Sequence, residues 1–432
     1  MFLYRKDEIS LLNEDFDKAK SSINFIFGRR KVGKTSLINE YTKNKKTLYL
    51  SAFETISSLF IKELKKTIDN FFDLNNSETI NSLENLIVYL SKQEVNNKIV
   101  IVFEDMQELL KIEKDFLINL NNYWTKYLKN LNMQLIISSS VLPNDFDNLQ
   151  IANKIDNKIK LKSLSFKIIE ELYPNMSEEQ RMLLFTVFGT NPEYLSLYNI
   201  QIDFISNIKE NFLSRNSYLT NEGMNLIKKD LGDAATYCSI LYAISIGNNK
   251  IGDIAECLNL KSSYLTRYMQ KLLDLMIINK IVPINESLLK SKFGRYEIED
   301  NFLKFWFRYI YTNVNSINSN KYNKTLEDIE NDMNNSLISI TYKNYLKELI
   351  EENSSRFLSY RPKKIGSWWN NKDIEIDFIT YDSKYITFID CKYNNSDNLE
   401  KDYEILKNKA SSFDTPLEKK YLIITKNLNI NK

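Results

Sequence analysis

Short apolar runs punctuate the first third of the chain, at Ile23–Phe27, Leu48–Ala52, Ile99–Phe103 and Leu135–Ser138. Runs this short, rich in β-branched and aromatic residues, read as buried strands, and the longer mixed stretches between them read as helices, one starting at Lys34. Strands joined by helical crossovers predict a parallel sheet covered on both faces. The rhythm then changes. Ile159–Lys228 reads as helical, with the turn Gly189-Thr190-Asn191-Pro192 in its middle. Three short helices follow at Ala234–Ile246, Ile251–Leu258 and Ser262–Met276. Two apolar segments, Ile277–Ile284 and Tyr296–Ile298, then flank a polar tip carrying Lys290, Lys292 and Arg295. That order fits a winged helix-turn-helix. An aromatic helix at Asn301–Tyr311 and a polar stretch at Asn313–Asn335 lead to a last α/β segment, with strands near Ile374–Thr380, Tyr385–Lys392 and Lys420–Thr425.

At 432 residues the chain predicts several cores, and 43% hydrophobic with 26% charged residues is the balance of an ordinary globular protein. A net charge of +2 gives no global attraction to nucleic acid, so a basic partner surface has to be local. Charges in the N-terminal segment, and the absence of any long apolar run, predict a soluble cytoplasmic protein without a membrane partner. Cys238, Cys257 and Cys391 lack CxxC spacing, which speaks against a disulfide framework or a cysteine zinc site. The chain has no histidine, which removes Ser-His-Asp and Cys-His catalysis and histidine-ligated zinc. Chemistry is left to carboxylates, lysine and metal.

Gly28-Arg29-Arg30-Lys31-Val32-Gly33-Lys34-Thr35 matches GxxxxGK[ST] directly after an apolar strand and directly before a helix. Glycines allow close backbone approach to phosphate, backbone N–H groups and a helix N-terminus receive negative charge, Lys34 serves the β/γ-phosphates and Thr35 serves Mg²⁺. With only 9 glycines in the chain, such a match is not expected by chance. Gly28 to Thr35, with Ser36, are therefore the candidate ATP-binding residues, and ATP and Mg²⁺ the expected cofactors.

Ile99–Phe103 ends in Glu104-Asp105, the way a buried parallel strand delivers acids to the carboxyl edge of a sheet. Glu104 is assigned to the metal and Asp105 to polarising the attacking water, the reverse of the usual Asp-Glu order. Ser138, in the run Ser138-Ser139-Ser140 after Leu135–Ile137, is the candidate sensor of the γ-phosphate, and a plain turn is the competing reading.

In the winged-helix segment, Lys261, Ser263, Arg267 and Lys271 are the candidate DNA contacts at and after the start of the third helix. Packing against a neighbouring domain is the alternative. In the last segment, Asp377 and the sequence Asp390-Cys391-Lys392 resemble the D…(D/E)xK arrangement of restriction-endonuclease-like folds. Asp390 and Lys392 share a strand face, and a hairpin loop at Tyr381–Lys384 would make Asp377 the diagonal neighbour of Asp390, near enough to share a hard cation. Lys343 occupies the place where that family's upstream helix carries a third acid. A metal-dependent nuclease, a degenerate descendant and coincidence all stay open.

Several segments together resemble the archaeal-type AAA+ ATPases of the STAND-like branch: Phe2 to Glu8, the loop Gly28 to Thr35, Phe103-Glu104-Asp105-Met106-Gln107 and Gly189 to Leu195. Tyr296 to Phe307 and Ile365 to Trp369 resemble the C-terminal domain often fused to that ATPase. The resemblance implies that Arg5 lies over the base and that Pro192, in the lid, touches nucleotide. The chain departs from the family at Ser138-Ser139-Ser140, where Gly-Ser-Ser is usual, and near Ile155–Lys160, which has no arginine. The predicted architecture is multidomain α/β. It comprises a P-loop ATPase domain over 1–160, a helical lid over 161–230, a winged helix-turn-helix over 231–298 and a restriction-endonuclease-like domain over 299–432. The expected function is a nucleotide-dependent switch acting on double-stranded DNA, with a non-hydrolysing regulator or an ATP-controlled nuclease as alternatives. A protein partner or a homo-oligomer is left open.

Overall fold

The computed structural model describes residues 5–53, 55–75, 78–143, 145–215, 217–333, 337–372, 374–393, 398–426 and 429–431. Phe2, Leu3 and Tyr4 of the opening segment, and Asn334 and Asn335 of the polar stretch, lie outside them. The chain divides into two compact units, Met1–Ser163 with Asp274–Met276, and Leu164–Leu273 with Ile277–Lys432.

The first unit runs α1 (Lys6–Phe16), β1 (Ser22–Phe27), α2 (Lys34–Thr42), β2 (Thr47–Ser51), α3 (Ser57–Phe72), α4 (Leu83–Ser91), β3 (Ile99–Glu104), α5 (Met106–Ile112), α6 (Phe116–Tyr123), β4 (Met133–Ser139) and β5 (Asn157–Lys160). Its five strands form a parallel sheet in the order β2-β3-β4-β1-β5. Strand alternation sorts the apolar residues onto two faces. Phe25, Ile101, Phe103, Leu135 and Ile137 pack with α3, α4 and α6, through Phe60, Leu86 and Leu120 among others. Ile26, Val100, Val102 and Ile136 pack with α1 and α2, through Leu12, Leu37, Ile38 and Tyr41. This is the expected two-sided parallel sheet. One expectation is corrected: Ile159, taken as the start of a helical segment, lies in β5, which pairs with β1. Four residues with one buried side chain carry no readable period, and pairing with β1 decides their conformation.

The second unit begins with helices α7 (Lys167–Leu172), α8 (Glu178–Phe188), α9 (Pro192–Leu195), α10 (Phe204–Phe212) and α11 (Tyr218–Asp230). Local chemistry sets their starts. Ser177 and Gln180 form a reciprocal capping box on α8, and Pro192 occupies the first turn of α9, where a missing N–H costs nothing. Then come α12 (Ala234–Ser245), α13 (Ile251–Cys257), α14 (Ser262–Asp274) and an antiparallel pair, β6 (Ile278–Ile281) and β7 (Arg295–Ile298). The aromatic helix is α15 (Asn301–Phe305), continued by a π-helical turn at Trp306–Ile310. Trp306 is fully buried and its Nε1 donates to the carbonyls of Leu219 (3.0 Å) and Thr220 (3.1 Å). A Cβ at Gly223 would lie 2.2 Å from the Trp306 ring, so glycine in the middle of α11 is what admits the indole.

Helices α16 (Val314–Asn318), α17 (Asn323–Asp332) and α18 (Ile338–Glu352) lead to β8 (Lys364–Trp369), β9 (Glu375–Tyr381), β10 (Tyr385–Lys392), α19 (Leu399–Ser411), β11 (Glu418–Thr425) and β12 (Asn429–Asn431). The sheet order is β12-β11-β10-β9-β8, with only β10 and β11 parallel. The segment after β6 is fastened to β8: Ile284 N donates to Ser367 O at 2.9 Å, and Trp369 Nε1 donates to Phe293 O at 3.1 Å.

The hairpin register differs from the expected one by two residues, because Tyr381 pairs with Ile386 and Thr380 with Thr387. The Asp382 carboxylate accepts from Lys384 N and Tyr385 N, both at 2.7 Å, and fixes a tight turn that starts after Tyr381. Asp377 is thereby carried next to Asp390 instead of diagonal to it.

Candidate nucleotide site and the second-unit side chains

The loop between β1 and α2 is shaped by two glycines for two different reasons. A Cβ at Gly28 would stand 2.5 Å from the carbonyl oxygen of Leu161, just beyond β5, so that position needs space. Gly33 has room around it but adopts φ +98 at the N-cap of α2, so it needs the left-handed backbone. Lys31 is also left-handed, with φ 64, and is exposed. The first hydrogen bond of α2 runs from Leu37 N to Gly33 O, which leaves the earlier N–H groups of the helix pointing towards the loop. Lys34 Nζ lies inside the loop's curve, donating to Gly28 O at 2.7 Å and Arg29 O at 3.1 Å. Thr35 and Ser36 are exposed, and Val32 is buried beneath the loop.

Side chains around the loop brace it. Arg29 donates to Ser163 Oγ at 3.0 Å, and Arg30 pairs with Glu108 at 3.3 Å. The Arg5 guanidinium donates to Val32 O (3.1 Å), Lys162 O (2.7 Å) and Glu8 (3.1 Å), joining α1, the loop and the chain after β5. That anchoring is a structural task the sequence did not reveal.

The two acids at the end of β3 have different backbones. Val100 and Val102 face α2, and Glu104, the last residue of the strand, continues their face, whereas Ile101 and Phe103 face the other way; Asp105 lies beyond the strand. Burial pushes Glu104 above the usual carboxylate range, opposed by the Thr35 hydroxyl and the Lys34 charge and reinforced by Asp105. Its Oε1 is buried without a hydrogen-bond partner. A buried orphan carboxylate oxygen near a threonine hydroxyl is the hard-oxygen set that suits Mg²⁺, so the residues present fit that ion.

Asp105 is left-handed, with φ 56, at the start of α5. Its Oδ1 accepts from Gln107 Nε2 at 2.6 Å, and Gln107 Oε1 accepts from Ser139 Oγ at 3.1 Å and Ser140 N at 3.0 Å. Gln107 therefore ties the acid to the end of β4 through Ser139. Ser138 is also buried but on the opposite face, beside Ile136. Gln107 had no assigned task from the sequence; its only signal was its place two residues beyond the acids on a helix that starts at the sheet edge. Pro192 belongs to the second unit, where it opens α9.

Of the candidate DNA contacts, Lys261 is exposed just before α14, Ser263 and Arg267 are exposed on it, and Lys271 is half-buried. Arg267 stacks over Tyr264 and Tyr268 and donates to the Tyr268 hydroxyl at 2.9 Å, and that hydroxyl donates to Asp233 at 3.0 Å. Arg295 pairs with Glu375 at 2.7 Å and lies over Trp369.

Asp377 and Asp390 are brought together by reciprocal bonds. Asp377 N donates to Asp390 Oδ1 at 3.4 Å, and Asp377 Oδ2 accepts from Cys391 N at 2.8 Å. Each acid also has a lysine: Lys343 pairs with Asp377, and Lys409 with Asp390 at 2.8 Å. Burial alone would lower Lys343, but the adjoining Asp377 charge outweighs it and holds the ammonium above its ordinary value. Lys392 faces Asp402 at 3.7 Å. Among the described residues no group of three Asp, Glu, Cys or His side chains is placed to hold a metal ion.

Comparison with known proteins agrees with the first unit's geometry. Residues 2–198 match the family described as an ATPase domain predominantly from Archaea, and residues 306–404 match a family of archaeal and bacterial proteins of unknown function. An uncharacterized protein of Methanocaldococcus jannaschii is 29% identical over 439 residues, covering 99% of this chain and 96% of that one. An uncharacterized ATP-binding protein of the same organism is 40% identical over 53 residues, 12% of this chain and 90% of that protein. Among solved structures, a Walker-type ATPase of Pyrococcus abyssi matches with a TM-score of 0.53 at 17% identity, covering 71% of this chain and 96% of that one. With the loop, the parallel sheet and the family match together, residues 2–198 carry a P-loop ATPase domain of a family that is predominantly archaeal.

Proposed function

We propose that the chain is an ATP-dependent switch, binding Mg²⁺-ATP at Gly28 to Ser36 and using that binding to govern how its second unit engages DNA. The observation that carries the reading is the strand–loop–helix at β1 and α2, with Glu104 on the Thr35 face of the sheet. Lys34 exchanges its loop carbonyls for phosphate oxygens, and the α2 N-terminus receives further negative charge. Mg²⁺, when bound, supplies positive charge beside those phosphates, with Thr35 and Glu104 as its protein ligands. Asp105 orients the attacking water, and Gln107 holds Asp105 and passes its position to Ser139 at the sensor strand. In this reading Ser138 keeps a supporting place beside the P-loop helix.

The DNA-binding half of the proposal is supported by the order of three helices and an antiparallel pair of strands over 234–298, the order expected of a winged helix-turn-helix, with Lys261 just before the third helix and Ser263, Arg267 and Lys271 on it. Duplex binding is expected to fall steeply with salt. Replacing Lys261, Arg267 and Lys271 by Ala should flatten the slope of log K against log salt by up to about three units. An unchanged slope would assign the module to packing. Steady-state ATP turnover with and without duplex DNA tests the coupling, and identical turnover and identical DNA affinity with and without ATP would refute it.

For the sheet of β8 to β12, which we read as restriction-endonuclease-like, the lysine partners of Asp377 and Asp390 favour a scaffold over a nuclease, because two ammonium groups occupy the positions a cation would need. Supercoiled plasmid should survive incubation with the protein in Mg²⁺ or Mn²⁺. Cutting that disappears in Asp390→Ala would restore the nuclease reading, with Lys392 assisting.

A further inference from the structure

A cavity of about 410 Å³ opens beside β11, between the segment 357–360 and α19. That volume lies in the range of small-ligand sites, on the order of 300–1,000 Å³. Its lining combines three tyrosines, Tyr360, Tyr403 and Tyr421, with three lysines, Lys407, Lys419 and Lys420, and includes no carboxylate. The lysines are poorly neutralised. Lys420 Nζ sits 3.7 Å above the Tyr385 ring and donates to Ser359 Oγ at 3.1 Å, and Lys419 Nζ donates to the carbonyls of Ala410 and Phe413, both at 3.1 Å. Among the described residues neither has a carboxylate within ion-pair distance. Lys407 pairs with Glu404 at 2.9 Å, but with 41% and 64% of those side chains exposed the pair is strongly screened.

A simple anion would need the cations but not the rings, and an apolar ligand would need the rings but gain nothing from the lysines. Aromatic faces beside unneutralised ammonium groups suit a molecule that carries a flat ring and a negative charge together. We propose that this cavity binds a nucleotide, its base against the tyrosines and its phosphate on Lys420 and Lys407, separately from the P-loop. The nucleotide can come as a free mononucleotide or as one unit of a single-stranded nucleic acid.

The test uses the full chain carrying Lys34→Ala, so that the P-loop contributes nothing. UMP is titrated by calorimetry, and a short fluorescein-labelled oligothymidylate by anisotropy. Tyr403→Ala and the double variant Lys407→Ala/Lys420→Ala should each weaken binding about tenfold or more, in line with the loss of one base stack or its phosphate partners. Lys407→Gln removes the charge that lies over the Tyr403 ring and pairs with Glu404 while keeping a side chain of similar length; it should weaken binding, and its melting temperature, compared with that of its parent, separates loss of the cation from loss of the fold. UMP binding that these variants lose identifies a free-nucleotide site; loss seen only with the oligonucleotide identifies a nucleic-acid site. Failure of both probes to bind, or binding that none of the variants weakens, overturns the proposal.

Discussion

Glu104 and Asp105 are neighbours in sequence, yet Glu104 ends the strand on the face of α2 and Thr35, while Asp105 turns left-handed into α5 and is bonded to Gln107. In the proposed site the exchanged acid order therefore leaves Glu104, which ends the strand on the α2 face, as the metal ligand and Asp105 as the group that orients water. Asp105→Asn is accordingly expected to lower turnover by about 100-fold or more while ATP is still bound, and Glu104→Gln to raise the Mg²⁺ concentration needed for half-maximal binding. Gln107→Ala, which frees Asp105 from Ser139 and Ser140, should lower kcat about tenfold with little change in ATP affinity. Equal kcat for wild type and Gln107→Ala would remove this residue from the site. The acid pair Glu104-Asp105 was legible in the sequence because it follows a run of five apolar residues. The Gln107 bridge was not, since it depends on the start of α5 meeting the end of β4, 32 residues further on.

At the scale of elements, packing explains residues that propensity would reject. Gly223 lies inside α11, where glycine ordinarily weakens a helix, and the Trp306 ring occupies the space its side chain would fill. Gly223→Ala should destabilise the second unit by about 2–4 kcal/mol, through overpacking and the strained indole bonds to Leu219 and Thr220, read as a lower urea midpoint. A neutral Gly223→Ala would contradict this packing. The contact between the start of the second unit and α18 carries a pH signature. Glu348 accepts from Phe166 N at 3.1 Å, and burial pushes its carboxyl up to about 7 from an ordinary 4.5, with the Phe166 N–H opposing and Glu352 reinforcing. The folded chain thus holds this proton more tightly than the unfolded one, so the contribution favours folding below about 4.5 and is lost as pH rises through about 7. Glu348→Gln should match wild type near pH 4.5 and exceed it at pH 8 by about 1–2 kcal/mol, a melting-temperature difference that grows with pH. A constant difference across that range would show that Glu348 does not titrate as its burial implies.

For the whole molecule, what the sequence made legible follows from how local each determinant is. The P-loop and the long buried strands depend on contiguous residues, so Gly28 to Thr35 and β1 to β4 could be read directly. The strand β5, the edge strand β8 and the two-residue shift of the β9–β10 register depend on a partner strand or on a single turn carboxylate, Asp382, and carry little pattern of their own. The lysines that hold Asp377 and Asp390 come from α18 and α19, 34 residues before the first acid and 19 after the second, so only Lys343, by analogy of position, could be suspected. The proposed function rests on the first unit being a nucleotide site. Isothermal titration of Mg²⁺-ATP into wild type and Lys34→Ala tests it most directly. One saturable site is expected in the wild type and at least about 100-fold weaker binding in the variant, because the loop loses the cation that faces the phosphates. Equal affinity in the two proteins, or no binding in the wild type, would contradict it.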